Sequence, residues 1–183
     1  MLAIKNFTSW LLYIDMEIIK ATIQDIPQLE KLINSAYRGN ESRKGWTTEA
    51  DFLEGKRVDA ASLTAIMKDA NSVILKHTDG TEITGCVYLK KNDNKMYLGM
   101  LTVSPILQTA GLGKKILKAS EEYAVKQGCD TVEMRVIPLR VELIDWYKRR
   151  GYYDTGIIIP YPPDDTLSIQ LKPVVFTMLE KKL

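Results

Sequence analysis

Apolar and polar residues follow two rhythms along this chain, and the switches between them mark its elements. Glu17 to Ile23 is rich in β-branched residues and predicts a strand. A helix then opens at Asp25 as N-cap, with Pro27 in the first turn and Gln28 at the capping-box position. Ile26, Leu29, Ile33 and Ala36 recur at helical spacing and share one face. Arg38 to Gly45 is polar and reads as a loop. Thr48 to Leu53 predicts a short helix, and Asp59 to Lys68 a longer one with Leu63, Ile66 and Met67 as its apolar stripe.

The rhythm then shortens. Ser72 to Lys76, Glu82 to Lys90 and Met96 to Val103 predict a meander, with Asp79-Gly80 and Asn92-Asp93-Asn94 as turns. Beyond Pro105 the order becomes helix, strand, helix, strand. Gly111 to Gln127 carries Leu112, Ile116, Ser120, Tyr123 and Ala124 on one side, and Gly128 stops it. Thr131 to Ile137 predicts a strand. Val141 to Arg150 predicts a helix with Leu143, Ile144 and Tyr147 grouped and a basic last turn before Gly151. Tyr152 to Ile159 and Val174 to Lys181 complete the strands, separated by a loop from Pro160 to Pro173 that holds four prolines. The order predicts an α+β fold.

With 183 residues, 45% of them hydrophobic and 26% charged, the chain suits one compact domain with a substantial core. A net charge of +2, from 25 basic and 23 acidic residues, gives no electrostatic case for a nucleic-acid partner. Cys86 and Cys129 lie in apolar surroundings and form neither a metal-type pair nor a disulfide framework; buried reduced thiols in a cytoplasmic protein are expected, and no metal. The apolar stretch Phe7 to Ile14 falls far below the roughly 20 residues needed to cross a bilayer. No membrane or targeting segment is expected. Met16 opens the first strand, so residues 1–15 read as an N-terminal extension to a domain spanning 16–183.

The segment with the most chemistry is Gln108-Thr109-Ala110-Gly111-Leu112-Gly113-Lys114-Lys115, which follows a strand and opens a helix. Its glycines allow close backbone approach, and helix-start amides with the helix dipole make an anion site. It lacks the first glycine and the Ser/Thr of a Walker A loop, and the third glycine of a dinucleotide fingerprint. The plain alternative is a glycine-rich helix start without a ligand.

In context this strand, loop and helix resemble the acyl-CoA-binding motif of the GNAT superfamily, the general amine N-acetyltransferases. The positions matched are Gln108, Gly111 and Gly113, after Leu101-Thr102-Val103-Ser104-Pro105. Leu143 to Tyr152 resembles the family's second hallmark, a helix ending in tyrosine, basic residues, glycine and an aromatic. Gly85-Cys86-Val87 and Gly45-Trp46-Thr47-Thr48-Glu49 also look like family segments. The resemblance covers roughly residues 16 to 183.

It implies an α/β/α sandwich: a mixed, mostly antiparallel sheet with a splayed strand pair and helices on both faces. It also implies an N-acetyltransferase that uses acetyl-CoA as co-substrate and a small-molecule or peptide amine as acceptor, with a homodimer possible by analogy. The CoA diphosphate would lie on the amides of Thr109, Ala110, Gly111, Leu112, Gly113 and Lys114. The pantetheine arm would pair with the backbone of Leu101, Thr102 and Val103. Tyr147 matches the family's tyrosine acid. Arg140 stands where many relatives carry a cofactor-contacting asparagine; it reaches a CoA phosphate, or it is solvated at the helix start. The strand Tyr97-Leu98-Gly99-Met100 lacks the glutamate base of some members, which leaves Glu49 as the best candidate, against a solvated carboxylate. Asp164-Asp165 reads as a solvated loop pair or as an attractor for a cationic amine, and His77 as an exposed structural residue. Two alternatives stay open: a non-catalytic acyl-CoA-binding or partner-binding module on the same fold, and a phosphate-binding enzyme of another kind.

Overall fold

The computed structural model describes residues 18–108 and 111–183. The extension 1–15, the start of the first strand, and Thr109 and Ala110 lie outside the described residues. The elements run β1 (Ile19–Lys20), α1 (Ile26–Tyr37), α2 (Gly39–Ser42), β2 (Leu53–Gly55), α3 (Ala60–Lys68), β3 (Ser72–Asp79), β4 (Glu82–Asn92), β5 (Lys95–Val103), α4 (Leu112–Lys126), β6 (Thr131–Val136), α5 (Val141–Lys148), β7 (Tyr153–Pro160), β8 (Ser168–Gln170) and β9 (Val175–Lys182). Seven strands form one sheet in the order β1-β3-β4-β5-β6-β9-β7. Every neighbouring pair is antiparallel except β5 and β6.

Strand alternation sends successive side chains to opposite faces, and each face receives its own helices. Ile74 and Cys86 join Leu29, Ile33 and Ala36 of α1 and Leu63 of α3. Their chain neighbours Leu75 and Val87 join Leu112 and Ile116 of α4, and Ile144 and Tyr147 of α5. Each such Leu or Ile, fully buried, stabilises by about 1.5–3 kcal/mol. Asp59 caps α3, accepting the Ser62 amide at 2.8 Å.

The parallel pair is short. Lys95, Met96 and Tyr97 of β5 pair with Thr131, Val132 and Glu133 of β6, and pairing stops there. From Leu98 onward β5 keeps β4 on one side, and its other flank parts from β6. A bulge accompanies the parting. Cys86 pairs with Thr102 and Tyr88 with Gly99, so two residues of β5 face one of β4. Met100 within it takes φ 50°, and the Thr102 hydroxyl donates to its carbonyl at 2.8 Å.

Several local expectations are corrected. The first strand shortens to two described residues. Arg38 to Gly45 contains one helical turn, α2. Thr48 to Leu53 is not a helix: it makes one turn, with the Phe52 and Leu53 amides donating to the Glu49 carbonyl, before Leu53 begins β2. Instead Leu53 buries against Ile137 and Val174, and β2 pairs with β8 inside the proline-containing loop. His77 is buried, with its Nδ1 2.7 Å from the Thr84 hydroxyl. Both cysteines are buried and unpaired, and burial pushes the Cys86 thiol up to about 12.

Candidate acyl-transfer site

The parting of β5 from β6 opens a cleft of about 250 Å³ at the end of the sheet. Leu101 and Val103 of β5 form its floor; Gly111, Gly113 and Lys114 form one rim, and Leu143, Trp146 and Tyr147 of α5 form a wall. The sequence makes this corner sharply. Gly111 is the N-cap of α4 at φ 80°, a left-handed conformation that favours glycine, and no side chain caps the helix. The Lys114 and Lys115 amides both donate to the Gly111 carbonyl, at 3.1 and 3.2 Å. Among the described residues, no acceptor takes the Leu112 or Gly113 amide. The expected row of amides is thereby corrected at Lys114, whose N–H is used internally.

A Cβ at Gly113 would meet nothing nearer than Trp146 and Val103, each at 3.7 Å. The space beside the helix start is open. Lys114, Arg140 and Arg150 line the cleft, and among the described residues no carboxylate does. Open amides, a helix dipole and three cations suit a diphosphate, so the residues present fit a CoA ester.

Gln108 does something its motif position did not foretell. Its Oε1 accepts the Trp46 amide at 2.8 Å, and its Nε2 donates to the Thr47 hydroxyl at 2.7 Å and the Val103 carbonyl at 3.2 Å. Gly45 accommodates this, since a Cβ there would lie 2.5 Å from Gln108 Oε1. Trp46 is thus held over the cleft, its ring 6.2 Å from that of Trp146. Arg150 stacks on Trp146, 3.6 Å above the ring, and donates to its carbonyl at 2.6 Å.

Tyr147 is 5% exposed, lies edge-on to Trp146 with centroids 5.0 Å apart, and faces the cleft. Burial holds its phenol far above the ordinary tyrosine range. Tyr37, at the end of α1, lies across from it and donates to the Leu101 carbonyl at 2.9 Å; burial, reinforced by Glu49, raises it to about 12.

Arg140 is not solvated. It is 6% exposed, donates to the Trp46 carbonyl at 3.1 Å, and lies 3.9 Å from Glu49. Glu49 is not a solvated carboxylate either. Its side chain is 12% exposed, and Arg38, 3% exposed, grips it at 2.5 Å. Glu49 and Arg140 line a tighter recess of about 50 Å³ between β5 and β6 that also reaches Tyr37, Arg57, Leu101 and Tyr147. Asp165 is consumed by its own loop, accepting the Tyr161 hydroxyl and the Leu167 and Ser168 amides, while Asp164 is exposed. Tyr37 and Arg57 lie outside every motif read from the sequence, whereas Trp46 and Arg150 lie inside such segments but were given no role there. Among the described residues, no cluster of three or more His, Cys, Asp or Glu side chains is placed to hold a metal, and no helix is long and apolar enough to cross a membrane.

Residues 26–152 match the model of the acetyltransferase (GNAT) family. No curated protein matches the chain by sequence. Among solved structures, the chain is similar to the ribosomal-protein-S18-alanine N-acetyltransferase of Escherichia coli. That pair is 14% identical over 91% of this chain and 92% of the other, with a TM-score of 0.67. It is also similar to the PaiA N-acetyltransferase of Thermoplasma acidophilum in complex with coenzyme A, at 18% identity over 91% and 98%, with a TM-score of 0.65. Likenesses at these identities establish the fold.

Proposed function

The chain belongs to the GNAT acetyltransferase family, and from that premise we propose that it moves an acetyl group from acetyl-CoA to a primary amine by direct attack. The observation that supports the reading is the α4 start: Gly111, Gly113 and Lys114 line the same cleft as Tyr147, and among the described residues no acceptor takes the Gly113 amide. Coenzyme A binding by the Thermoplasma relative supports the choice of donor. Acetyl-CoA supplies an acyl group on a thiolate leaving group.

The chain's own residues supply the rest. The Leu112 and Gly113 amides, the α4 dipole and Lys114 hold the diphosphate, with Thr109 and Ala110 completing the loop by sequence. The flank of β5 that parts from β6, at Leu101, Thr102 and Val103, runs beside the pantetheine arm as an added strand's partner would, with the Leu101 and Val103 carbonyls already accepting from Tyr37 and Gln108. An amide near Val103 steadies the negative charge that grows on the carbonyl oxygen. Tyr147, kept protonated by burial, donates to the departing sulfur. Trp46 and Trp146 exclude water from the thioester. Arg140 acts as a strut, joining the Trp46 loop to the recess. Glu49, fixed by Arg38, receives the acceptor's ammonium group and takes the proton it sheds, so that the neutral nitrogen attacks the thioester carbonyl.

Thiol release from acetyl-CoA in the presence of an amine panel tests the reading. Amine-dependent release is expected. Acetyl-CoA binding without release from any amine would favour the non-catalytic alternative, and no binding would end both.

A further inference from the structure

Among the described residues, Arg57 has no carboxylate within ion-pair distance. It sits just before α3, and its Nε is shielded with no hydrogen-bond partner among the described residues. Glu49, the one carboxylate of the recess among the described residues, spends its ion pairs on Arg38 and Arg140. The guanidinium lies 5.8 Å from the Tyr37 ring centroid. Burial works against its charge, and Glu49 together with the Tyr37, Tyr97 and Tyr161 hydroxyls more than offsets that from within Coulombic reach. Arg57 as a whole is half-buried, but a shielded Nε–H is costly to leave without an acceptor, so the site is suited to an anion.

Arg57 also joins two cavities. One is the recess with Glu49 and Tyr147; the other, about 250 Å³, is walled by Val58, Ile66, Tyr88, Met100 and Leu167. They share Arg57, Tyr97, Gly99 and Met100. A carboxylate, a cation and an apolar hollow therefore meet beside the point where the acceptor nitrogen must stand. Acidic guidance for a polycation is absent from both cavities except for the already paired Glu49.

Building on the acetyl-transfer reading, we propose that the acceptor is an α-amino acid with an apolar side chain. Its ammonium meets Glu49, its carboxylate meets Arg57, and its side chain lies against Ile66, Met100 and Tyr88. The recess of about 50 Å³ admits these two charged groups and little more.

Matched acceptors test this: L-phenylalanine against phenethylamine and L-phenylalaninamide, L-leucine against 3-methylbutylamine, and spermidine. The free amino acids should have kcat/KM roughly 10- to 100-fold above their decarboxylated or amidated partners, the worth of one charged hydrogen-bonded pair. Arg57→Gln should remove that advantage through KM while changing the plain amines less than about threefold, and Arg57→Lys should restore part of it. Calorimetric binding of L-phenylalanine to the CoA-loaded protein, wild type against Arg57→Gln, reads the same preference without turnover. Equal use of acids and amines, a preference for spermidine, or an equal loss on both acceptor types in Arg57→Gln would overturn the proposal while leaving acetyl transfer standing. If no acceptor releases thiol, acetyl transfer fails, and the calorimetric arm still decides whether Arg57 selects a carboxylate.

Discussion

Gln108 holds Trp46 from below: the glutamine Oε1 accepts the tryptophan amide at 2.8 Å, and its Nε2 closes the clasp on Thr47 and Val103. One side chain thereby fixes the loop over the cleft to the last residue of the splayed strand. The position that resembles a cofactor-binding motif acts by building the wall of the site.

Gln108→Ala should release that wall. Three hydrogen bonds are lost at a part-buried site, and a destabilisation of about 1–2 kcal/mol is expected by urea unfolding. The KM for acetyl-CoA should rise about tenfold as Trp46 loses its place, the kinetic equivalent of about 1.4 kcal/mol. An unchanged KM would remove Trp46 from the site.

Tyr147→Phe should lower kcat by about 100-fold and leave acetyl-CoA affinity nearly untouched, since proton donation is lost but the ring is kept. Rapid-quench or steady-state thiol release, with CoA binding measured separately, distinguishes the two effects. An unchanged kcat would make the residue a packing tyrosine only.

Glu49→Gln leaves Arg38 buried without a counter-charge. With partner side chains 3% and 12% exposed, the loss should be about 3 kcal/mol of folding stability, larger than for any surface pair in the chain. Acceptor KM should rise in parallel. Glu49→Gln at wild-type stability would contradict the buried pair.

Alkaline unfolding should expose the buried phenols. Tyr37 is raised to about 12 and Tyr147 is raised further by burial, whereas an unfolded tyrosine ionises near 10. Above that ordinary value the unfolded chain binds fewer protons than the folded one, so stability falls as pH rises and is fully present below it. The urea midpoint should be flat from pH 7 to 9 and drop between pH 10 and 12, with phenolate absorbance appearing together with unfolding.

Much of this was legible along the chain because its signals are local. The 3.6-residue stripe of α1, the glycine stops after α4 and α5, and the alternation in β4 and β5 each lie within one element. So does the Gly111-Leu112-Gly113 corner, whose conformation is written in its own residues. What escaped notice depends on meetings across the chain. Tyr37 reaches Leu101, Arg140 reaches Trp46, and Arg57 enters the recess only because β5 turns away from β6. The short helix expected around Glu49 failed for the same reason: Leu53 finds its partners at Ile137 and Val174, and β2 finds β8 more than a hundred residues later. His77 looked exposed beside its turn and is buried because Thr84, across the hairpin, supplies its hydrogen bond.

The α4 corner carries the account, and Gly113 is its most exposed point of test. A leucine there would grow into the open space between Trp146 and Val103 without disturbing a hydrogen bond among the described residues. Calorimetric titration with CoA, wild type against Gly113→Leu, is the direct measurement. The account predicts a loss of affinity of at least about 30-fold, on the order of 2 kcal/mol, while urea unfolding of the ligand-free variant stays within about 1 kcal/mol of wild type. Equal CoA affinity in the two proteins, or no binding to the wild type, would contradict it.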